Sequence, residues 1–383
     1  MRNQEEYFFV FGQYAFIHFS HFLIIMDNKY RKGDAFMSLL VYSKKTSYLT
    51  NDLKTVEIGS TIFSPKEEKI YFMPEIGQMS SITTEALLNN VEYKSFVEAV
   101  AMASGDAIIK LLGDVVLDEP LTIPVGANIV LDLNNKTISA DEKVSYNGGL
   151  ITVPHGSSLV INGEGNVIAH EKIYSPFQMT SKKFMNDKEP ASLTINGGHY
   201  CGYYYVICGN GLKGRGNSKV IINDGIFETT AENDGSVIFN PQENSSVTIT
   251  GGEFIGKGTG IEMRSGNLII EGGHIKTSAA PTTISPNGNG TTAVGSAIAI
   301  CQHTTKKDLG VTIDGGIFEG YHALYQANPQ KNDDEAISRV KMTVNGGKFI
   351  AINGGEMPVY SENKEHFIHG GTFDPAVDEK YMA

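Results

Sequence analysis

One phrase recurs seven times in the second half of the chain: LTINGGHY, VIINDGIF, VTITGGEF, LIIEGGHI, VTIDGGIF, MTVNGGKF and HFIHGGTF. The glycine that closes each turn falls at Gly198, Gly225, Gly252, Gly273, Gly316, Gly347 and Gly371, at steps of 27, 27, 21, 43, 31 and 24 residues. A step near that length suits one turn of a solenoid, in which each unit contacts only its neighbours.

Aligned, the phrases resolve into columns. Leu193, Val220, Val247, Leu268, Val311 and Met342 form one aliphatic column that breaks at His366; Ile195, Ile222, Ile249, Ile270, Ile313, Val344 and Ile368 form another. Between them stand Thr194, Ile221, Thr248, Ile269, Thr312, Thr343 and Phe367. Strand alternation puts the first two sets inside and the third outside. Past the turn comes a third inward column, Tyr200, Phe227, Phe254, Ile275, Phe318, Phe349 and Phe373. The glycines let the backbone bend between the two strands through dihedrals that a Cβ would forbid. A further apolar piece closes each repeat: YVIC at 205–208, SVIF at 236–239, GIEM at 260–263, AIAI at 297–300, ALYQ at 323–326 and PVYS at 358–361. Three short strands per turn, stacked on their equivalents, predict an all-β chain: a right-handed parallel β-helix solenoid with its core inside. Antiparallel hairpins share the Asn-Gly and Asp-Gly signal, but the strand after each turn is too short to be a hairpin partner. Leucine-rich repeats share the period and lack the pattern here.

The long step of 43 residues contains TSAAPTTISPNGNGTTAVG, a composition of loops. It reads as an inserted loop over 277–295. Upstream, short apolar runs separated by glycine turns continue the architecture less regularly. Residues 92–104 carry a helical stripe of Phe96, Val97, Val100 and Ala101, which predicts a short capping helix over the open end of the first turn. The solenoid is therefore placed at 92–383, after a small attachment module at 26–91. The segment 1–25 contains the apolar run YFFVFGQYAFIHFSHFLII, and two readings stay open: an upstream mis-start with Met26 as the true start, or a membrane or partner-binding anchor. Glu5 and Glu6 before it, and the lack of a basic region or cleavage site, make a poor signal peptide.

The formal net charge of −12 repels phosphate backbones, which argues against nucleic acid as a partner. Three cysteines (Cys201, Cys208 and Cys301) make neither a disulfide framework nor a zinc site.

The stretch SFVEAVAMASGDAIIKLLGDVVLDEPLTIPVGANIVLDLNNKTISA, followed by ITVPHGSSLVINGEGNVIA, resembles the opening of pectin-lyase-like parallel β-helix proteins. Such chains occur among phage and prophage virion appendages and gut bacterial surface proteins. The resemblance covers 92–373. It implies fold and leaves activity open, because the fold hosts lyases, hydrolases, adhesins and inert fibres.

A pectate lyase of this kind would carry a calcium cluster of aspartates with a nearby Arg or Lys on an outer face. The outward column of the first strand holds neither acid nor base. Glu253 and His274 are expected on adjacent rungs, as an acid–base pair or, more simply, as solvated turn side chains. Glu262 and Arg264 read as a surface ion pair at i, i+2. Glu253 with Glu262, or Asp314 with Glu319, could be paired as glycosidase carboxylates, at the density chance allows. The polar position before each glycine pair (Asn196, Asn223, Thr250, Glu271, Asp314, Asn345 and His369) fits turn chemistry. The outward side of the third strand is read as Ile207, Ile238, Glu262, Ala299, Tyr325 and Tyr360, a largely apolar strip. Tyr325 and Tyr360 are the binding candidates, to stack on sugars, meet a neighbouring subunit, or lie under a loop of the same chain. No metal site is expected, and the absence of Walker, GxSxG, HExxH and EF-hand patterns points to no cofactor. The expected function is a structural, adhesive appendage of about ten turns, on the order of 50 Å long. It would sit on a virion or cell surface, contact a host or glycan surface, meet other virion proteins through 26–91, and form a homotrimer as the resemblance implies. A polysaccharide lyase or glycoside hydrolase with a groove or inter-subunit site, and a bacterial cell-surface adhesin, are the alternatives.

Overall fold

The computed structural model describes residues 84–180, 189–212, 215–281 and 292–383 and, before them, strands alone. The chain divides into two compact units, Met1–Thr84 and Glu85–Ala383. In the first unit the apolar segment 1–25 enters the antiparallel strands Tyr7–Phe11, Tyr14–Phe19 and Phe22–Asp27 of a seven-stranded sheet, and the rest of that segment and much of the 26–91 module lie outside the described residues. The end of that module belongs to the second unit: Ala86–Leu88 pairs antiparallel with Val91–Tyr93 and with Gly105–Leu111.

The described chain is mostly β, with long parallel sheets. The strands before and after each glycine turn share one 19-stranded sheet, and the third strands make a separate nine-stranded sheet. Within each, a strand pairs with its equivalent one repeat on. Leu193 lies opposite Val220, then in succession come Val247, Leu268, Val311 and Met342. Ile195, Ile222, Ile249, Ile270, Ile313 and Val344 line up the same way, and a parallel bridge carries Val344 to Ile368. Tyr200, Phe227, Phe254, Ile275, Phe318, Phe349 and Phe373 make the aromatic column. Except for half-buried Met342 and Phe373, these side chains are buried in one continuous core. Rings of neighbouring rungs stack, Phe227 on Phe254 at 4.7 Å and Phe318 on Phe349 at 4.8 Å. Each buried ring contributes about 2–3 kcal/mol of apolar transfer.

The closing glycines need their freedom. Gly225 has φ +129° and Gly316 φ +106°, and a Cβ on either would stand about 3 Å from the ring two residues on. Between the rungs, the turn side chains bond one another as well as the backbone. Asn223 donates to Asn196 and Asn196 to Asn162, both at 2.7 Å, and Asn345 donates to Asp314 at 2.8 Å. These amide ladders satisfy polar groups that strands alone would leave open.

Across the step of 43 residues, Gly266–Ile270 pairs directly with Leu309–Ile313, and His274–Thr277 with Ile317–Gly320. The intervening stretch adds no rung to this sheet; its residues 282–291 lie outside the described ones. The helix forms at Phe96–Met102 behind an N-cap at Ser95. Its buried face is Phe96, Ala99 and Val100, whereas Val97 and Ala101 face solvent. The expected stripe was rotated by one position on its flank.

Two outward assignments are corrected. Phe367, expected outside, is buried, because the 3-10 turn Glu379–Tyr381 brings the Tyr381 ring to 5.5 Å from it. In the third strand, Ile207 and Ile238 stand in register with Ile261, Ile298, Leu324 and Val359, and all six point into the core. The outward column is Cys208, Phe239, Glu262, Ala299, Tyr325 and Tyr360, one residue later in the first two strands.

Candidate functional site

The outer face of the nine-stranded sheet gathers the chemistry. Alternation frees its outward column from the core, so what covers that column decides its character. Over the middle rungs the cover is the chain's own loop. Glu262 and Arg264 are fully buried, not a surface pair. Glu262 accepts from the Thr292 amide at 3.0 Å with both carboxylate oxygens, and from the Thr292 hydroxyl. Arg264 Nε lies 4.0 Å from Glu262 Oε1 and donates to the Cys301 carbonyl at 3.4 Å. Burial pushes the Glu262 carboxyl up to about 7 against the opposing pull of Arg264 and Thr292, and burial lowers Arg264. Ala293, Ala299 and Cys301 close a small apolar cluster beside the pair, with Tyr325 packed on its edge.

Beyond that cover the face opens. Tyr325 and Tyr360 occupy adjacent rungs with rings stacked 5.3 Å apart at 16°. His322 lies 5.5 Å from the Tyr325 ring and 5.7 Å from that of Tyr360. Its Nδ1 is 2.8 Å from the Met357 carbonyl and must donate there, which leaves Nε2 an acceptor in the neutral ring. Burial lowers the His322 pKa and raises that of Tyr325, so both stay uncharged near neutrality. The result is a half-buried shelf of three flat rings, with Met357 exposed beside it.

The other candidate carboxylates are engaged by neighbouring side chains. Glu253 and His274 are register neighbours as expected, yet each lies against a different partner. The Glu253 carboxylate lies 2.5 Å from Lys276 Nζ, which holds it below the usual carboxylate range. His274 Nε2 is 3.5 Å from Glu319, the same diagonal that His199 makes with Glu228 at 3.5 Å. These are cross-rung contacts on an outer face, and the part-exposed Lys276–Glu253 ion pair among them is worth little. Glu253 and Glu262 stand on different sheets, and Asp314 belongs to the turn ladder while Glu319 belongs to His274. Neither proposed carboxylate pair is thus assembled. Among the described residues, no three His, Cys, Asp or Glu side chains gather as metal ligands, and no helix is long and apolar enough to cross a membrane.

Sequence reasoning singled out Tyr325 and Tyr360 but missed His322, whose ring is three residues before Tyr325 at a strand start. It also missed a second aromatic group at the other end of this face, Tyr174, Tyr205 and Phe239; the run of tyrosines at 203–205 was its visible signal. Compared with protein-family models, with curated proteins and with solved structures, the chain finds no match.

Proposed function

We propose that the second unit is a right-handed parallel β-helix of the pectin-lyase-like kind. In this reading it is a rigid, non-enzymatic appendage that contacts glycan through the outer face of its nine-stranded sheet. The winding is supported by the unbroken parallel registers of like side chains. Right-handedness follows the rule for crossovers between parallel strands.

The stacked Tyr325–Tyr360 pair with neutral His322 carries the glycan reading. Flat rings of this kind offer sugar rings an apolar face at little ordering cost, because each is already held by its neighbour. The setting is a phage or prophage virion, with residues 26–91 as the attachment segment and a homotrimer as the assembly. A bacterial cell-surface adhesin would use the same face. Catalysis is the weaker reading, since Glu253 is held by Lys276 and Glu262 is sealed under Thr292.

Binding of the full chain to an immobilised glycan panel tests this reading. The double variant Tyr325→Ala/Tyr360→Ala should lose at least about tenfold in affinity, the equivalent of one lost ring-stacking contact at about 1.4 kcal/mol. Unaltered binding by that variant, or release of shortened or unsaturated sugars by the wild type, would overturn it.

A further inference from the structure

At the far end of the same face, the strands Tyr146–Val153, Ile173–Met179, Tyr205–Gly209 and Ser236–Asn240 lie side by side. They carry a cleft of about 300 Å³ whose walls include Tyr174, Tyr205, Phe239, Gln178, Asn147 and Asn210. That volume is at the small end of ligand sites and suits one or two sugar units.

Three features define what could enter. First, the rings are fixed: Tyr205 stacks on Phe239 at 5.0 Å and 25°, and Tyr174 meets Tyr204 edge-on at 5.3 Å. Second, the amides are oriented. Gln178 Oε1 accepts from the Gly149 amide at 3.0 Å, and Asn210 Oδ1 accepts from the Leu212 amide at 2.9 Å. With both oxygens engaged, each side chain keeps its NH2 as the end that can donate to a ligand. Gly148 makes this arrangement possible, because a Cβ there would stand 2.5 Å from Gln178 Oε1. Third, among the described residues lining the cleft there is no Asp, Glu, Lys, Arg or His.

Aromatic faces with oriented amide donors suit hydroxyl and acetamido oxygens. The same walls penalise an anion, since a carboxylate would be desolvated with no cation among the described lining residues, on a chain of net charge −12; the Arg264 guanidinium, which acts electrostatically on Tyr205, is itself fully buried beside Glu262. We infer that this cleft is a second glycan site, selective for an uncharged sugar unit over uronates and other anionic sugars. The inference rests on the glycan reading above but uses none of the same residues.

The test is calorimetric titration of the full chain with maltotriose, xylotriose, mannotriose, N,N′-diacetylchitobiose and digalacturonate. Wild type should bind at least one neutral member and not digalacturonate. Gln178→Glu keeps the acceptor for Gly149 and replaces the donor with a carboxylate. It should weaken neutral-sugar binding at least about tenfold, a hydrogen bond's worth, with the melting temperature retained. Asn210→Asp, which keeps the acceptor for Leu212, should do the same and serves if Gln178→Glu fails to fold. Binding that survives both variants but is lost in Tyr325→Ala/Tyr360→Ala overturns the cleft and leaves the shelf standing. Preference for digalacturonate overturns the assigned class. Binding of no member overturns both readings.

Discussion

Replacing Ile249 by aspartate would put a carboxylate between Ile222 and Ile270 in the core column. Ile249 is fully buried, so removing its side chain costs about 2–5 kcal/mol, as in large-to-small core substitutions. Holding the new Asp neutral at pH 7, about three units above its ordinary value, adds about 4 kcal/mol at 1.36 kcal/mol per unit. The sum, about 6–9 kcal/mol, is comparable with the whole stability of a typical domain. Ile249→Asp should therefore be largely unfolded at pH 7. Thr248, one residue earlier, points outward between Ile221 and Ile269 and is half-exposed. Thr248→Asp should cost about 1 kcal/mol or less, a matter of strand preference. Urea unfolding followed by far-ultraviolet circular dichroism measures both, with Ile249→Ala as the neutral truncation. At pH 4 the protonation cost nearly vanishes, and Ile249→Asp should approach Ile249→Ala. Equal losses for the two Asp variants at pH 7 would refute the facing of the strand. An Ile249→Asp protein indifferent to pH would refute the dry column.

The remaining expectations concern the buried pair and the ring column. Glu262 has its pKa raised by burial to about 7 from an unfolded value of 4.5. The folded state thus holds the proton more tightly, and this contribution is present in full below about pH 4.5 and lost as pH rises through about 7. The stability difference between wild type and Glu262→Gln, read from urea titrations, should shift in favour of wild type by on the order of 3 kcal/mol from pH 8 to 4.5; a shift of opposite sign would refute burial as the dominant cause. Arg264→Met leaves Glu262 buried without its counter-charge and should cost about 3–5 kcal/mol at pH 7.5, whereas loss below 1 kcal/mol would mean the pair is solvated. Phe254→Ala, in a column where the ring stacks on Phe227 at 4.7 Å, should cost about 3–5 kcal/mol by thermal or urea unfolding.

The columns before and after each turn were legible because two constraints act on them at once. Strand alternation fixes which residues face inward, and the glycine pair fixes the register to the residue, since its second glycine takes a positive φ at every repeat from Gly198 to Gly371. The third strand has the first constraint without the second. No turn residue anchors YVIC to GIEM, so Ile207 and Ile238 were set one position out, and in a strand that slip exchanges core for surface. The helix at 96–102 shows the same limit: about two turns leave the apolar stripe free to rotate, and Ala99, not Val97, faces the core. Tyr325 and Tyr360 were found because each sits in the middle of a three- or four-letter apolar piece. The cleft at Tyr174, Tyr205 and Phe239 was not, because its walls come from strands spread over residues 147–239.

Burial of Glu262 follows from where the chain spends its longest step. A ladder of like rungs places no inward demand on its outward column, so residue identity there reports only what lies against it. Down Cys208, Phe239, Glu262, Ala299, Tyr325 and Tyr360, the single charge falls one rung from Ala299, the residue whose repeat carries the 43-residue step. The returning end of that stretch supplies the Thr292 amide and hydroxyl, which satisfy the carboxylate, and Ala293, which needs the small Ala299 beneath it. Past Ala299 the column carries the half-buried rings of Tyr325 and Tyr360, and on the other side of Glu262 it carries Phe239 and Cys208, both buried. The extra residues of a single repeat therefore seal the middle of the face, and beyond them the rings of Tyr325 and Tyr360 stand half-buried.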